Sequence, residues 1–182
     1  MKILVTGGGG FLGQALCRGL RLVGDVRNVH HGTVVVARPA RVRAKELIDV
    51  HVRVLAMRAS GLDCCGVVAG IGDQTFRSRD VEIDVDPDTA LAALDQLVEL
   101  AERTRIVALP IPPWVAASWA GALDGPFNRN PWSSDLFDAS TALVFGDFAV
   151  DDLADHVAPG ESENGRALAQ RLWHHLRGGG DE

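Results

Sequence analysis

The chain has 182 residues, of which 47% are hydrophobic, and carries a formal net charge of −6 at pH 7. This length is typical of one domain with a sizeable core, and the composition excludes an intrinsically disordered protein. The acidic balance argues against nucleic acid as the main partner, because binding to phosphate groups needs a basic surface. No apolar run approaches the ~18 residues of a membrane span, so we expect no membrane partner.

The first predicted elements are a strand, a glycine turn and a helix, in that order. A short apolar run over residues 3–5 is followed by Gly7, Gly8, Gly9 and Gly10, and apolar residues then recur at helical spacing from Phe11 onward. The N–H groups at the start of such a helix attract anions. The turn therefore predicts an anion site, and the alternative is a glycine turn that serves packing alone.

Strands and helices alternate along the rest of the chain. The predicted elements are strand 33–36, helix 40–57, strand 64–69, loop 74–86, helix 87–102, strand 105–109, strand 142–145 and helix 165–176 with Asn164 as its cap. Residues 50–54 also alternate as a strand would, but good helix formers over 44–47 favour a helix there. Cys64 and Cys65, adjacent on a strand, should point to opposite faces as reduced thiols, which is typical of a cytoplasmic protein.

This alternation predicts an α/β fold with three layers, α/β/α, around a five-stranded, mostly parallel sheet. We expect one domain over residues 1–177 and a disordered tail over 178–182. Ligands of such sheets bind at the carboxyl ends of the strands. The glycine turn, the segment 70–73 with Gly70, Gly72 and Asp73, and the loop that holds Asp155 all fall at these ends.

Three of the four tryptophans lie close together in the sequence. Trp114, Trp119 and Trp132 lie among proline and glycine residues. Large aromatic side chains anchor pockets and partner interfaces, so this region predicts a pocket wall or a partner-binding face. The alternative is a helix that packs on the core through its tryptophans.

The glycine turn resembles the cofactor turn of short-chain dehydrogenases/reductases. Thr6-Gly7-x-x-Gly10-x-x-Gly13 matches that pattern, and Arg38 follows the second strand, where that family binds a 2′-phosphate. The family's chemistry uses a tyrosine and a lysine, whereas this chain contains no tyrosine. The resemblance implies, as one alternative, a truncated reductase-like NADP(H) binder.

A second resemblance covers nearly the whole chain and is to the SGNH/GDSL hydrolases. The first strand and its glycines are similar to the nucleophile block of that superfamily, residues 67–73 to its GxND block, and residues 154–159 to its closing block with the catalytic Asp and His. The serine position is then Gly9, the asparagine position Gly72 and the histidine position Ala158, so only Asp155 of the usual triad remains. Without a hydroxyl nucleophile and its base, hydrolysis through an acyl-enzyme is not expected.

This second resemblance implies a repurposed, non-hydrolytic enzyme without a cofactor or metal. Gly7–Gly10, Gly70 and Gly72 would line an anion pocket, while Asp155, His156 or Asp73 moves a proton. Elimination, cyclisation or group transfer would fit, on a sulfated, phosphorylated or acyl small molecule of secondary metabolism. Alternatives are a non-catalytic SGNH-like subunit of a hetero-oligomer and the reductase-like binder; a homo-oligomer is a further option.

Overall fold

The structure is a computed structural model that describes residues 26–40, 42–72, 75–122 and 150–179, together with Val144. Its sheet contains β1 (Val29–His30), β2 (Thr33–Ala37), β3 (Cys65–Gly72) and β4 (Thr75–Val81). The strands lie side by side in the order β1-β2-β3-β4. β2 and β3 are parallel, whereas β1 and β4 run antiparallel to their neighbours.

Five helices belong to the described part of the chain. They are α1 (Ala44–Ala59), α2 (Pro87–Thr104), α3 (Pro113–Trp119), α4 (Val150–Asp155) and α5 (Gly165–Leu176). The predicted starts of α2 and α5 are confirmed, because local signals specify both. The Asp86 carboxylate accepts from the backbone N–H groups of Asp88 and Thr89, and the Asn164 side chain accepts from that of Ala167. Such caps satisfy donors that a helix leaves unpaired at its first turn.

The prediction of a five-stranded, mostly parallel sheet is wrong. The described sheet has four strands and a single parallel pair. One reason is β4, which lies within the predicted loop 74–86. Its side chains alternate between the two faces of the sheet, but charged residues occupy both faces and conceal the period-two pattern that marks a strand. β3 therefore continues past the expected strand end and forms a hairpin with β4.

The second reason is the segment 105–109, which is not the expected strand. Arg105 caps α2, and the backbone N–H groups of Ile106 and Val107 both bond to the carbonyl oxygen of Arg103. These turn-type bonds use the donors that a sheet would need. Ile106 is 88% exposed, so the apolar run does not form a buried strand.

One face of the sheet, called the inner face below, packs against α1. Val34, Val68 and Val81 contribute to this face, and Val50 and Val54 of α1 belong to the same buried core. The α1 side chains recur at helical spacing, which places them on the side toward the sheet. Burying each such side chain stabilises the fold by roughly 1.5–3 kcal/mol.

The other helices extend this core away from the sheet. α2 and α5 pack on α1, and α3 packs on α5. Trp173 of α5 is 1% exposed, and its ring meets the ring of His51 in a T-shaped arrangement with centroids 5.5 Å apart. The His51 Nδ1–H donates to the Leu47 carbonyl oxygen at 2.7 Å. Gly178, at the start of the predicted tail, follows α5 with a φ of +84°. The domain boundary at residue 177 stays a prediction.

Gly66 is a position where β3 has no room for a side chain on the side of α1. A Cβ there would lie 2.5 Å from Val50 Cγ2 and 2.9 Å from Val54 Cγ2. We therefore expect Gly66→Ala to lower the free energy of unfolding by about 1–3 kcal/mol, because α1 must move away from the sheet. Urea unfolding measures this change. In a double-mutant cycle with Val50→Ala, part of the loss should be recovered; strictly additive losses would contradict this packing.

His51 should make stability depend on pH. Burial lowers the pKa of His51 from 6.5 to about 4, the charges of Arg79 and Arg177 act in the same direction, and the bond to Leu47 opposes them. The native state thus stays neutral while the unfolded chain takes up a proton. Stability is full above pH 6.5 and falls, by up to about 3 kcal/mol, as the pH drops towards 4.

The measurement is urea unfolding of wild type and His51→Leu at several pH values between 6.5 and 5, above the range in which most carboxylates titrate. The slope of unfolding free energy against pH should be smaller in the variant, because it lacks the titrating ring. Equal slopes would show that His51 is not the group responsible.

Candidate interaction surface

Several of the predicted site residues lie outside the described residues. These are Gly7, Gly8, Gly9 and Gly10 of the anion pocket, the proton-transfer candidate Asp73, and Trp132. Their proposed roles stay predictions. The remaining members are Gly70, Gly72, Asp155, His156, Trp114 and Trp119, and the structure places each of them.

Gly70 and Gly72 lie within the β3–β4 hairpin and not in a loop after a strand. Gly70 pairs with Arg77, and Gly72 with Thr75. A Cβ at Gly70 would lie 2.6 Å from the Ala40 carbonyl oxygen and 2.7 Å from Val42 Cγ2. The neighbouring Ile71 N–H donates to the same carbonyl at 2.9 Å. Gly70 therefore lets the connection from β2 to α1 cross the sheet in close contact.

Asp155 and His156 lie where α4 ends and the chain turns towards α5. Asp155 is exposed and His156 is half-buried. The His156 carbonyl oxygen accepts from the Gly165 N–H at 3.0 Å, and Val157 forms a bridge with Asn164. These contacts belong to the α4–α5 connection, whereas those of Gly70 belong to the β2–α1 connection. A catalytic role for the pair stays a prediction.

Trp114 and Trp119 occupy the two ends of α3. Trp114 is 3% exposed and belongs to the main core, which favours the alternative of a helix packed through its tryptophan. Trp119 is half-buried. Two arginines bind the carbonyl groups just after this helix: Arg79 Nη1 donates to Ala122 at 2.8 Å and Arg177 Nη2 to Gly121 at 3.2 Å. Cations at this position complement the negative end of a helix dipole.

The second face of the sheet carries a different set of side chains, and we call it the outer face. Its members on β2 and β3 are Thr33, Val35, Ala37, Cys65, Val67, Ala69 and Ile71. Val35 and Val67 lie opposite each other in the parallel ladder. Both are half-buried, and Ile71 is 42% exposed. Within the described ranges, the helix that packs on β2 and β3 is α1, and it covers the inner face.

The two adjacent cysteines show how strictly the faces are separated. The Cys64 thiol donates to the Val54 carbonyl oxygen at 3.6 Å on the side of α1, whereas the Cys65 sulfur lies 3.4 Å from the Thr33 hydroxyl on the outer face. The prediction that they point to opposite faces as free thiols is confirmed. Burial raises the pKa of the Cys64 thiol, which keeps it protonated and unreactive.

An acidic row borders the outer face. Asp80 lies directly across from Val67 in the β3–β4 ladder. Glu82 and Asp84 follow the end of β4 and continue the row in sequence; both are exposed and alternate with the buried Val81 and Ile83. Among the residues described, none is within hydrogen-bond or ion-pair distance of these three carboxylates.

The same stretch places its positive charges on the other side. Arg77 and Arg79 share the parity of Val81 and thus lie on the inner face. Charge is therefore sorted by face, with arginines inside and carboxylates outside. The outer face offers an apolar strip with a negatively charged edge.

The described residues contain no helix that is long and apolar enough to cross a membrane. They also contain no group of three His, Cys, Asp or Glu side chains arranged to hold a metal ion.

A comparison with protein families connects this architecture to known proteins. A family model described as the RecC C-terminal domain matches residues 14–124, a range that includes all four strands, α1, α2 and α3. No solved structure matches the chain.

This match overturns the functional predictions made from the sequence. The resemblance to SGNH/GDSL hydrolases is wrong, and neither the SGNH-like subunit nor the reductase-like binder fits. Three further predictions are also wrong: the small-molecule substrate, the link to secondary metabolism and the exclusion of nucleic acid. The SGNH/GDSL resemblance misled because it rested on short blocks that already lacked the superfamily's serine, asparagine and histidine, whereas the family model matches one continuous range of more than half of the chain. The chain belongs to the RecC C-terminal domain family.

Proposed function

We propose that this chain acts in DNA processing and repair, as a domain of a RecBCD-type helicase–nuclease complex. The observation that carries this proposal is the family match over residues 14–124. It includes the whole described sheet and the α1 helix that holds the sheet to the remaining helices. The cytoplasm is then the expected location, since that is where bacterial chromosomal DNA is processed.

The surface of the chain supports a mode of action through protein–protein contact within that complex. A net charge of −6 provides little attraction for phosphates over the chain as a whole. The outer face instead combines half-buried valines with an exposed isoleucine. Such a surface suits contact with other subunits, and DNA is engaged by the assembled complex.

The proposal is tested by reconstitution. We expect the chain to co-elute in size-exclusion chromatography with the other subunits of a RecBCD-type complex from the same organism. Binding of the assembled complex to a blunt DNA duplex end is then measured by gel shift, at a fixed salt concentration because such affinities depend on salt. The matched control is the same subunit mixture without this chain. Separate elution of the chain from folded, DNA-binding partner subunits would contradict the proposal.

A further inference from the structure

We propose that the outer face, together with its acidic row Asp80, Glu82 and Asp84, is the surface on which a protein subunit of the complex docks. The occupant presents apolar side chains bordered by Lys or Arg. The inference rests on the proposed function, because it names the partner contact through which this chain enters such a complex.

The apolar part of the surface is formed by neighbouring strands. Val35 and Val67 lie side by side in the ladder, and Ile71 lies four residues further along the same face of β3. The Val–Val pair and the exposed Ile71 thus share one face of two paired strands, and Ala69, which lies between Val67 and Ile71, is buried at 4% exposure. Inner-face packing uses α1, so the described helices leave this strip without a layer of its own. Contact with a partner would remove it from water.

The charged part of the surface determines what kind of partner fits. Asp80 lies next to the apolar strip, across from Val67, and Glu82 and Asp84 extend the row beyond it. The nearby arginines, Arg77 and Arg79, lie on the inner face and are separated from this row by the sheet. The outer face is therefore locally negative, and charge complementarity calls for a cationic border on the partner.

The same charge pattern disfavours two other occupants. In a two-fold symmetric dimer, equivalent patches meet, so a second copy would bring one acidic edge towards another. Nucleic acid would bring phosphates to the same carboxylates. A protein surface with apolar residues and a Lys or Arg border satisfies both parts of the face.

The first test reverses the charge of the row. The triple variant Asp80→Lys, Glu82→Lys, Asp84→Lys is compared with a matched control on α2, Asp95→Lys, Glu99→Lys, Glu102→Lys, whose three carboxylates are also exposed. Both variants change the net charge equally, so only the location differs. Affinity for the partner subunits, measured by surface plasmon resonance, should fall at least about tenfold in the first variant and less than about twofold in the control, with a smaller salt dependence in the first variant.

The second test addresses the apolar strip. Ile71→Lys is compared with Ile106→Lys, since both isoleucines are exposed, at 42% and 88%, and lie in different parts of the fold. Ile71→Lys should weaken association at least about tenfold, whereas Ile106→Lys should leave it unchanged. Circular dichroism and urea midpoints establish that each variant is folded before affinity is compared.

The outcomes separate this inference from the proposed function. If the wild-type chain binds the partner subunits and the outer-face variants bind as their controls do, the docking surface is wrong while the proposed function stands. If the folded wild-type chain binds none of them, both fail. Sedimentation of the chain alone provides a third outcome: a dimer that Ile71→Lys converts to a monomer would assign the face to a second copy and overturn the inference.

Discussion

The close approach of α1 to the sheet is the contact on which the other described elements depend. It is possible because β3 has a glycine at Gly66, where Val50 and Val54 come down onto the strand. β3 also carries both kinds of pairing, parallel to β2 and antiparallel to β4. A neighbouring part of the α1 surface brings His51 against Trp173 of α5. The α1 helix therefore joins the sheet to the other helices, and a substitution where α1 meets β3 affects the packing of both.

The sequence predicted those elements that are specified by their own residues. The start of α2 is marked by the capping residue Asp86 followed by Pro87, and the start of α5 by the capping residue Asn164. Each cap accepts hydrogen bonds from the first turn of its own helix. β2 is a run of β-branched residues, which favours a strand. For α1, helix-forming residues favoured a helix over the alternative prediction of a strand. In each case the signal lies within a few residues of the element, so no knowledge of distant partners is needed.

The features that were missed depend on contacts between distant parts of the chain. β4 pairs with β3, but its alternation of Arg and Asp residues has meaning only once the two faces are known. Ile106 was predicted in a buried strand because its neighbours are apolar. In the structure α2 extends to Thr104, and the residues that follow cap it. Gly70 reads as a loop glycine, yet it is required because Ala40 and Val42 cross above it. The functional prediction failed for a similar reason, because it rested on three short blocks separated in the sequence, whereas the family match extends over residues 14–124.

The net charge led to the wrong prediction about nucleic acid for a related physical reason, because it adds up charges that lie on different faces of the molecule. The net charge of −6 describes the electric field far from the molecule, whereas a partner in contact meets the charges of one face. On β4 the sheet itself separates those charges, since neighbouring residues must point in opposite directions. Arg77 and Arg79 are directed towards the interior of the fold, while Asp80 and the carboxylates after it are left on the outer side. Which charges a partner meets therefore depends on which face of the sheet each β4 residue points to. A chain that is acidic overall can still belong to a complex that binds DNA.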